Sequence, residues 1–286
     1  MDYKAPNSID EAVKLLAEAK GAARVLAGGT DLLVQIRAGL AKPPLVVDVK
    51  NIPELRKIST DSDGIHIGAA VSGAELGEHD EVKAAWPGVV EATELIGSTQ
   101  IQGRASLGGN LCNASPAADT VPALVAAGAI CIIAGPDGQR EAAVEHVATG
   151  PGQTTLKNGE FVTEFRLPKK LPRSADAYLR FIPRTEMDIA VVGAGVYLTL
   201  DEKGVCQQAR VALGAVAPTV LLVGDGSKAI VGSSLDDAAL DRLKAAASAA
   251  CNPIDDKRGT VEFRVSVAGV LAKRAALIAK QRAEVN

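Results

Sequence analysis

Two glycine pairs carry the chemistry most open to reading in this chain. The first lies in Ala27-Gly28-Gly29-Thr30-Asp31 and the second in Ser106-Leu107-Gly108-Gly109-Asn110. Glycine has no Cβ, so it adopts positive φ without cost and lets main-chain N–H groups converge on one point. A helix start placed just beyond adds unpaired N–H groups and the positive end of a dipole. That combination suits a phosphate or diphosphate. Neither pair has the G-x-G-x-x-G spacing of the dinucleotide fingerprint, and no Gly-Lys-Ser/Thr follows either one to make a Walker loop. A tight strand-to-helix turn without a ligand would account for one pair alone. Two pairs, each with a neighbouring hydroxyl, and the second followed by Asn110, Asn113, Ser115 and Asp119, read better as two loops that clasp one extended diphosphate with their amides. Asp119 can then accept a hydrogen bond from a sugar hydroxyl.

Other reactive side chains are scattered. His66, His79 and His146 stand alone, and no Ser-His-Asp or Cys-His grouping is apparent. Cys112, Cys131, Cys206 and Cys251 include no C-x-x-C spacing, so no zinc site or iron–sulfur cluster is expected on this chain. Glu91 and Glu94 read as a solvated helix face, and Trp86, before Pro87-Gly88, as a packing residue. No catalytic residue and no metal ligand is assigned.

The elements that must position the glycine pairs follow from local signals. Ser8 and Glu11 form a capping box before an amphipathic helix over residues 9–19, which Gly21 stops. A strand over 24–27 leads into the first pair, a helix starts near Leu32, and a strand at Leu45 to Val49 follows the Pro43-Pro44 break. Ile65 to Val71 reads as a strand, and two helices are expected over 73–79 and 81–96. The segment Gly97 to Asn110 reads as turn-rich and polar. Asp119 reads as the N-cap of a buried helix over 120–127, with strands at 129–134 and 161–167 after it. The run Pro168 to Ser174 is the candidate linker. Three strands, at 177–183, 189–200 and 205–216, and then helices at 235–250 and 261–281 make the remainder α+β. The division expected is 1–172, in lobes of about 1–55 and 56–172, and 173–286.

Bulk properties narrow the classes. With 286 residues, two domains are natural. A hydrophobic fraction of 47% and a net charge of −3 describe an ordinary globular chain. They exclude the basic footprint of a nucleic-acid binder and a polybasic membrane anchor. The N-terminus shows no secretion signal, and the longest apolar stretch, near 121–134, is too short and too interrupted to span a bilayer, so a cytoplasmic location is expected.

The motifs Ala27-Gly28-Gly29-Thr30-Asp31-Leu32-Leu33, Ser106-Leu107-Gly108-Gly109-Asn110-Leu111 and Ala114-Ser115-Pro116-Ala117-Ala118-Asp119, in this order, resemble those of the FAD-binding medium subunits of the molybdenum hydroxylases, the xanthine dehydrogenase and carbon monoxide dehydrogenase family. The resemblance covers essentially the whole chain. It implies a two-lobed α/β FAD-binding domain of the vanillyl-alcohol-oxidase-like (PCMH) type, followed by an α+β domain with a three-stranded antiparallel sheet. It also implies an electron-transfer subunit in a dimer of heterotrimers, where a large subunit carries molybdopterin and a small one carries two [2Fe-2S] clusters. Electrons would pass from those clusters through the FAD to an external acceptor.

Carried over by position, the resemblance makes Val25, Leu26, Ala27, Gly28, Gly29, Thr30, Asp31 and Leu32 the first diphosphate loop. Ser106, Leu107, Gly108, Gly109 and Asn110 would form the second. Asp119 would bind a sugar hydroxyl of the cofactor, and Arg180 would set a positive charge beside the flavin. Ile96 would lie near the ring, where eukaryotic xanthine oxidoreductases have an aromatic, with Gln100 and Ile101 in the same approach segment and Val162 at the ring or adenine end. The hydroxybenzoyl-CoA reductase branch carries a cluster-binding insertion in the second loop. Here Asn110 runs to Asp119 uninterrupted, which implies no four-iron cluster. Two other classes fit the loops alone: a stand-alone FAD-dependent oxidoreductase on the same fold, and a non-catalytic protein that binds a phosphate ligand.

Overall fold

A computed structural model describes residues 1–286. The chain opens with β1 (Asp2–Lys4), α1 (Ile9–Glu18), β2 (Arg24–Leu26), α2 (Leu32–Arg37) and β3 (Leu45–Asp48). The three strands form a parallel sheet in the order β1-β3-β2. The Ser8 hydroxyl caps α1 by accepting the Glu11 N–H at 3.3 Å, and Ala12 and Leu16 of that helix are buried. The edge strand β1 carries no alternating apolar pattern, and the sequence reading has no strand there.

A 3₁₀ turn at Pro53–Arg56 leads into the second lobe, which begins with β4 (Ile58–Thr60) and β5 (Gly64–Gly68). Six helices follow: α3 (Gly73–Gly77), α4 (Asp80–Ala85), α5 (Pro87–Glu94), α6 (Thr99–Gln102), α7 (Leu107–Cys112) and α8 (Thr120–Ala127). The expected helix over 81–96 is broken because Pro87 forces Trp86 out of the helical region, to φ −131° and ψ 61°. The expected turn-rich segment 97–110 contains α6 and the start of α7, since short polar residues serve as well for helix starts as for turns. The lobe is completed by β6 (Ile130–Gly135), β7 (Gly138–Ala143), the small hairpin β8 (Ala148–Gly150) with β9 (Gln153–Thr154), and β10 (Phe161–Pro168). Its antiparallel sheet has the order β4-β5-β10-β6-β7.

The last part holds β11 (Ser174–Phe181), β12 (Val192–Leu200), β13 (Cys206–Gly214), β14 (Leu221–Leu222), α9 (Gly224–Ile230), α10 (Asp237–Ala250) and α11 (Val261–Val285). The sheet is antiparallel in the order β11-β12-β13-β14. It thus has a fourth strand beyond the three expected, a two-residue strand too short to leave a pattern. Every residue of β12 is buried, because α11 covers one face and α8 of the second lobe covers the other. All of α8 is buried as well, as befits a helix that is apolar on every side. The C-terminal sheet is therefore packed directly onto α8, the helix that follows the second glycine loop.

Candidate functional site

The first loop is a run of free donors. Strand β2 ends in the parallel sheet, and the chain turns through Gly29 at φ +80° into α2. Asp31 occupies the N-cap with helical backbone and makes no capping bond with its side chain. The carbonyls of Gly29 and Asp31 accept from Leu33 and Gln35, whereas the N–H groups of Gly28, Gly29, Thr30, Asp31 and Leu32 donate to no acceptor within the chain. All five of these residues line one cavity of about 620 Å³, a size ordinary for small-molecule and cofactor sites. Consecutive N–H groups at a turn form an anion-binding concavity.

The second loop closes the same cavity in a different manner. Ser106 caps α7, its hydroxyl accepting the Gly109 N–H at 3.1 Å, while Gly108 donates to the Ala69 carbonyl at 3.1 Å and Asn110 to the Ser106 carbonyl at 2.9 Å. The amides of this glycine pair are engaged inside the fold, contrary to the expectation that both pairs present theirs to a ligand. What the loop offers the cavity is shape, and the side chains of Ser106 and Asn110. Asn110 Oδ1 accepts both the N–H and the hydroxyl of Thr120, at 3.0 and 2.6 Å. Across the cavity, Gln35 of α2 donates to Asn113 Oδ1 at 3.2 Å and ties the two loops together.

The four glycines differ in why they are glycines. A Cβ on Gly28 would stand 1.8 Å from the Arg104 carbonyl oxygen, the point where the first loop meets the strand of chain entering the second. A Cβ on Gly108 would stand 2.6 Å from the Ala69 carbonyl oxygen, and Gly29 needs its positive φ. Gly109 alone meets almost nothing, only the Ser106 hydroxyl at 3.3 Å. Packing of the protein explains three of them. The fourth faces the cavity, where a Cβ would take up space.

Most expected site residues come together. Val25, Ala27, Gly28, Gly29, Thr30, Asp31 and Leu32 line the cavity from one side. Ser106, Gly108, Gly109 and Asn110 line it from the other, with Ile96 and Val162 also in the wall. Leu26 and Leu107 are buried and outside the wall, since the strand and helix turn these side chains inward. Gln100 and Ile101 lie on α6, outside the wall, with Ile101 packed under Gly97. Asp119 and Arg180 also lie outside it and pair with each other, Arg180 Nη1 being 3.1 Å from both carboxylate oxygens. Burial pushes the Asp119 carboxyl up to about 6 even though the guanidinium draws it down.

The sequence reading missed the far end of the cavity. The segment after β8 contributes Thr154, Lys157, Asn158 and Glu160, the last held by Arg140 through two bonds of 2.8 and 2.7 Å. Arg24 joins Lys157 as a cation in the lining. The available signal was Lys157-Asn158-Gly159, a turn directly before a strand, which marks a loop but not a ligand. Cys112 also lines the cavity, and burial holds its thiol at about 12, so it stays a neutral packing group. Asp31 is raised as well, through burial.

Comparison with known proteins places this geometry. Residues 1–170 match the family described as the FAD binding domain in molybdopterin dehydrogenase, and residues 177–279 match the CO dehydrogenase flavoprotein C-terminal domain. The carbon monoxide dehydrogenase medium chain of Afipia carboxidovorans is 35% identical over 99% of this chain and 98% of its own length. The xanthine dehydrogenase FAD-binding subunit of Escherichia coli O157:H7 is 28% identical over 95% of this chain and 93% of its own. Among solved structures, reconstituted CO dehydrogenase from Oligotropha carboxidovorans superposes with a TM-score of 0.95 at 34% identity, covering 99% of this chain and 98% of that one. Quinoline 2-oxidoreductase from Pseudomonas putida 86 gives 0.91 at 28% identity, covering 99% of this chain and 98% of that one. The chain belongs to the FAD-binding subunits of the molybdenum hydroxylase family, the flavin subunits of molybdopterin-dependent oxidoreductases.

Proposed function

We propose that this chain is the electron-transfer station of a heteromeric molybdenum hydroxylase, holding FAD in the cavity between the two glycine loops. The observation that carries the reading is the run of five unpaired N–H groups, Gly28 to Leu32, on the wall of a cavity large enough for a nucleotide. Those donors meet the diphosphate. Thr30 and Ser106 add hydroxyls, and Asn110 has its amide nitrogen free for a further bond. Gly109 leaves the room that the diphosphate needs. Arg24 and Lys157 add positive charge at the far end, and Ile96 and Val162 give apolar contact. Residues 1–172 hold the cofactor and residues 173–286 back it.

Bound FAD supplies the exchange of one or two electrons, which joins one-electron clusters to a two-electron acceptor. The chain's part is to bind the cofactor, orient it and keep its diphosphate away from water. The clusters, two of the [2Fe-2S] type, belong to a small partner subunit and the molybdopterin to a large one, in a dimer of heterotrimers in the cytoplasm. The relatives support this assembly by their names, which describe a medium chain and an FAD-binding subunit.

The test is purification of the chain with and without the genes encoding both partners. The expected result is one FAD per chain, reduced by substrate only when both partners are present. Substrate turnover by the chain alone would overturn the reading and make it a self-sufficient flavoenzyme.

A further inference from the structure

Helix α5 ends at Glu94, and two residues later the chain brings Ile96 into the cavity wall. The last carbonyls of a helix have no partner within it, and the last turn of α5 carries no basic residue that could serve them. Gln102, the final residue of α6, supplies the donor instead. Its Nε2 donates to the Glu94 carbonyl at 2.5 Å and to the Ile96 carbonyl at 3.3 Å. A primary amide has two N–H groups, so one side chain can serve both oxygens. The N–H of Ile96 is also engaged, donating to the Thr93 carbonyl at 3.2 Å. The peptide groups on both sides of the Ile96 Cα are thereby fixed, and with them the direction in which its side chain leaves the backbone. Beyond Ile96 the chain reverses at Gly97, with φ +58° and a place for a Cβ only 2.9 Å from Ile101. The Gly97 carbonyl accepts the Met187 N–H at 3.1 Å. Of these ties, only those of Gln102 are made by a side chain.

Stability alone is a weak reason for this arrangement. Gln102 and Ile96 are only half-buried, so water would serve the same carbonyls, and a neutral hydrogen bond that replaces one to water contributes little net. Water would satisfy the oxygens without fixing the turn, whereas the amide reaches back from α6 and does both. We propose that Gln102 is a positioning residue of the FAD site, which holds the turn after α5 so that the Ile96 side chain meets the cofactor from the cavity wall. The proposal rests on the FAD reading above.

The test uses the full-length chain and the variants Gln102→Met, Gln102→Glu, Gln102→Arg, Ile96→Ala and the double variant Gln102→Met/Ile96→Ala. Three quantities are measured: the FAD dissociation constant, the visible circular dichroism of bound flavin and the apoprotein melting temperature. Gln102→Met keeps the length of the side chain and removes its donors. It is expected to weaken FAD binding about threefold to tenfold, the range of one neutral hydrogen bond, and to change the dichroism. Gln102→Glu also lacks the amide N–H groups and should behave alike, so it informs even if the methionine variant fails to fold. Gln102→Arg keeps donors and sets a charge that suits a helix C-terminus, so it should retain most of the affinity. The double variant should be no weaker than Ile96→Ala alone, because a turn without the Ile96 side chain has nothing left to place. Additive losses in the double variant, or a lower melting temperature with binding and dichroism unchanged in both donor-free variants, would overturn the proposal. A wild-type chain that binds no FAD would instead sink the functional reading itself. Wild-type binding with unaffected Gln102→Met and Gln102→Glu would sink only this inference.

Discussion

Gly109→Ala separates the protein's own needs from those of its ligand. At Gly28 the same change would set a Cβ 1.8 Å from the Arg104 carbonyl, an overlap that backbone must move to relieve. At Gly109 the new Cβ meets only the Ser106 hydroxyl, at 3.3 Å, a distance that a shift of a few tenths of an ångström accommodates. Gly109 lies inside α7 and has no positive φ. Alanine is favoured over glycine within helices by about 0.5–1 kcal/mol, and the contact with Ser106 takes back part of that. The expected change in apoprotein stability is between about zero and +1 kcal/mol, or at most about 2–4 °C in melting temperature. FAD binding should move the other way, since the methyl enters the space beside the diphosphate. A tenfold loss corresponds to about 1.4 kcal/mol, and Gly109→Val, with a branched Cβ, should abolish retention. Differential scanning of the apoprotein and titration with FAD measure the two quantities. A Gly109→Ala protein that binds FAD as the wild type does would refute the placement of the diphosphate. A loss of apoprotein stability beyond about 2 kcal/mol would show that this glycine, like the other three, serves packing.

Further outcomes follow from single contacts. Gly28→Ala should fail to yield a folded, soluble chain, as checked by size exclusion and circular dichroism; a well-folded variant would contradict the close approach of the two loops. Ser106→Ala removes the cap of α7 and should cost about 1 kcal/mol of apoprotein stability, visible as a melting temperature lower by about 2–4 °C. Asp176 is buried beside Glu91, with one oxygen accepting the Val89 N–H at 3.1 Å and the other unpartnered, and burial pushes its carboxyl from 3.8 up to about 7. The folded state holds this proton more tightly than the unfolded chain, so stability is lost as pH rises through that window. Asp176→Asn should therefore gain stability over the wild type progressively from about pH 4 to pH 7, with no gain below it. Urea titrations at several pH values measure this, and a difference independent of pH would count against the buried charge.

How much could be read beforehand depended on how far apart in sequence the partners lie. The glycine pairs are local, so their placement at strand and helix ends was legible, and the structure sets both pairs in the wall of one cavity. Two things were not. The amides of Gly108 and Gly109 are taken by Ala69 and Ser106, and the Ala69 bond joins segments that no pattern relates. Asp119 was read as a cap because caps are what Asp does before an apolar helix. Its side chain turns instead to Arg180, 61 residues away, while Asn110 accepts the N–H at the head of α8. Strands β1 and β7 escaped because edge strands need no apolar face. The strand β12 falls within the strand expected over 189–200, but its burial on both faces depends on covering layers that the sequence does not name.

The asymmetry of the two loops has a consequence for how the cofactor's charge is met. The chain is net acidic, at −3, and Asp31 brings a carboxylate into the cavity itself. A diphosphate there cannot depend on an excess of basic side chains. The first loop answers with dipoles, five N–H groups fixed by the turn at Gly29 and by the start of α2. Such donors need no counter-ion and do not titrate. The second loop adds little charge but sets the width of the slot, and width is what a helix packed on a rigid sheet can hold constant. If FAD binds as proposed, affinity would arise mainly in the first lobe, and the second would set the width of the slot. Changes at Gly28 to Leu32 should accordingly remove donors to the diphosphate, and changes at Gly109 should narrow the slot that receives it.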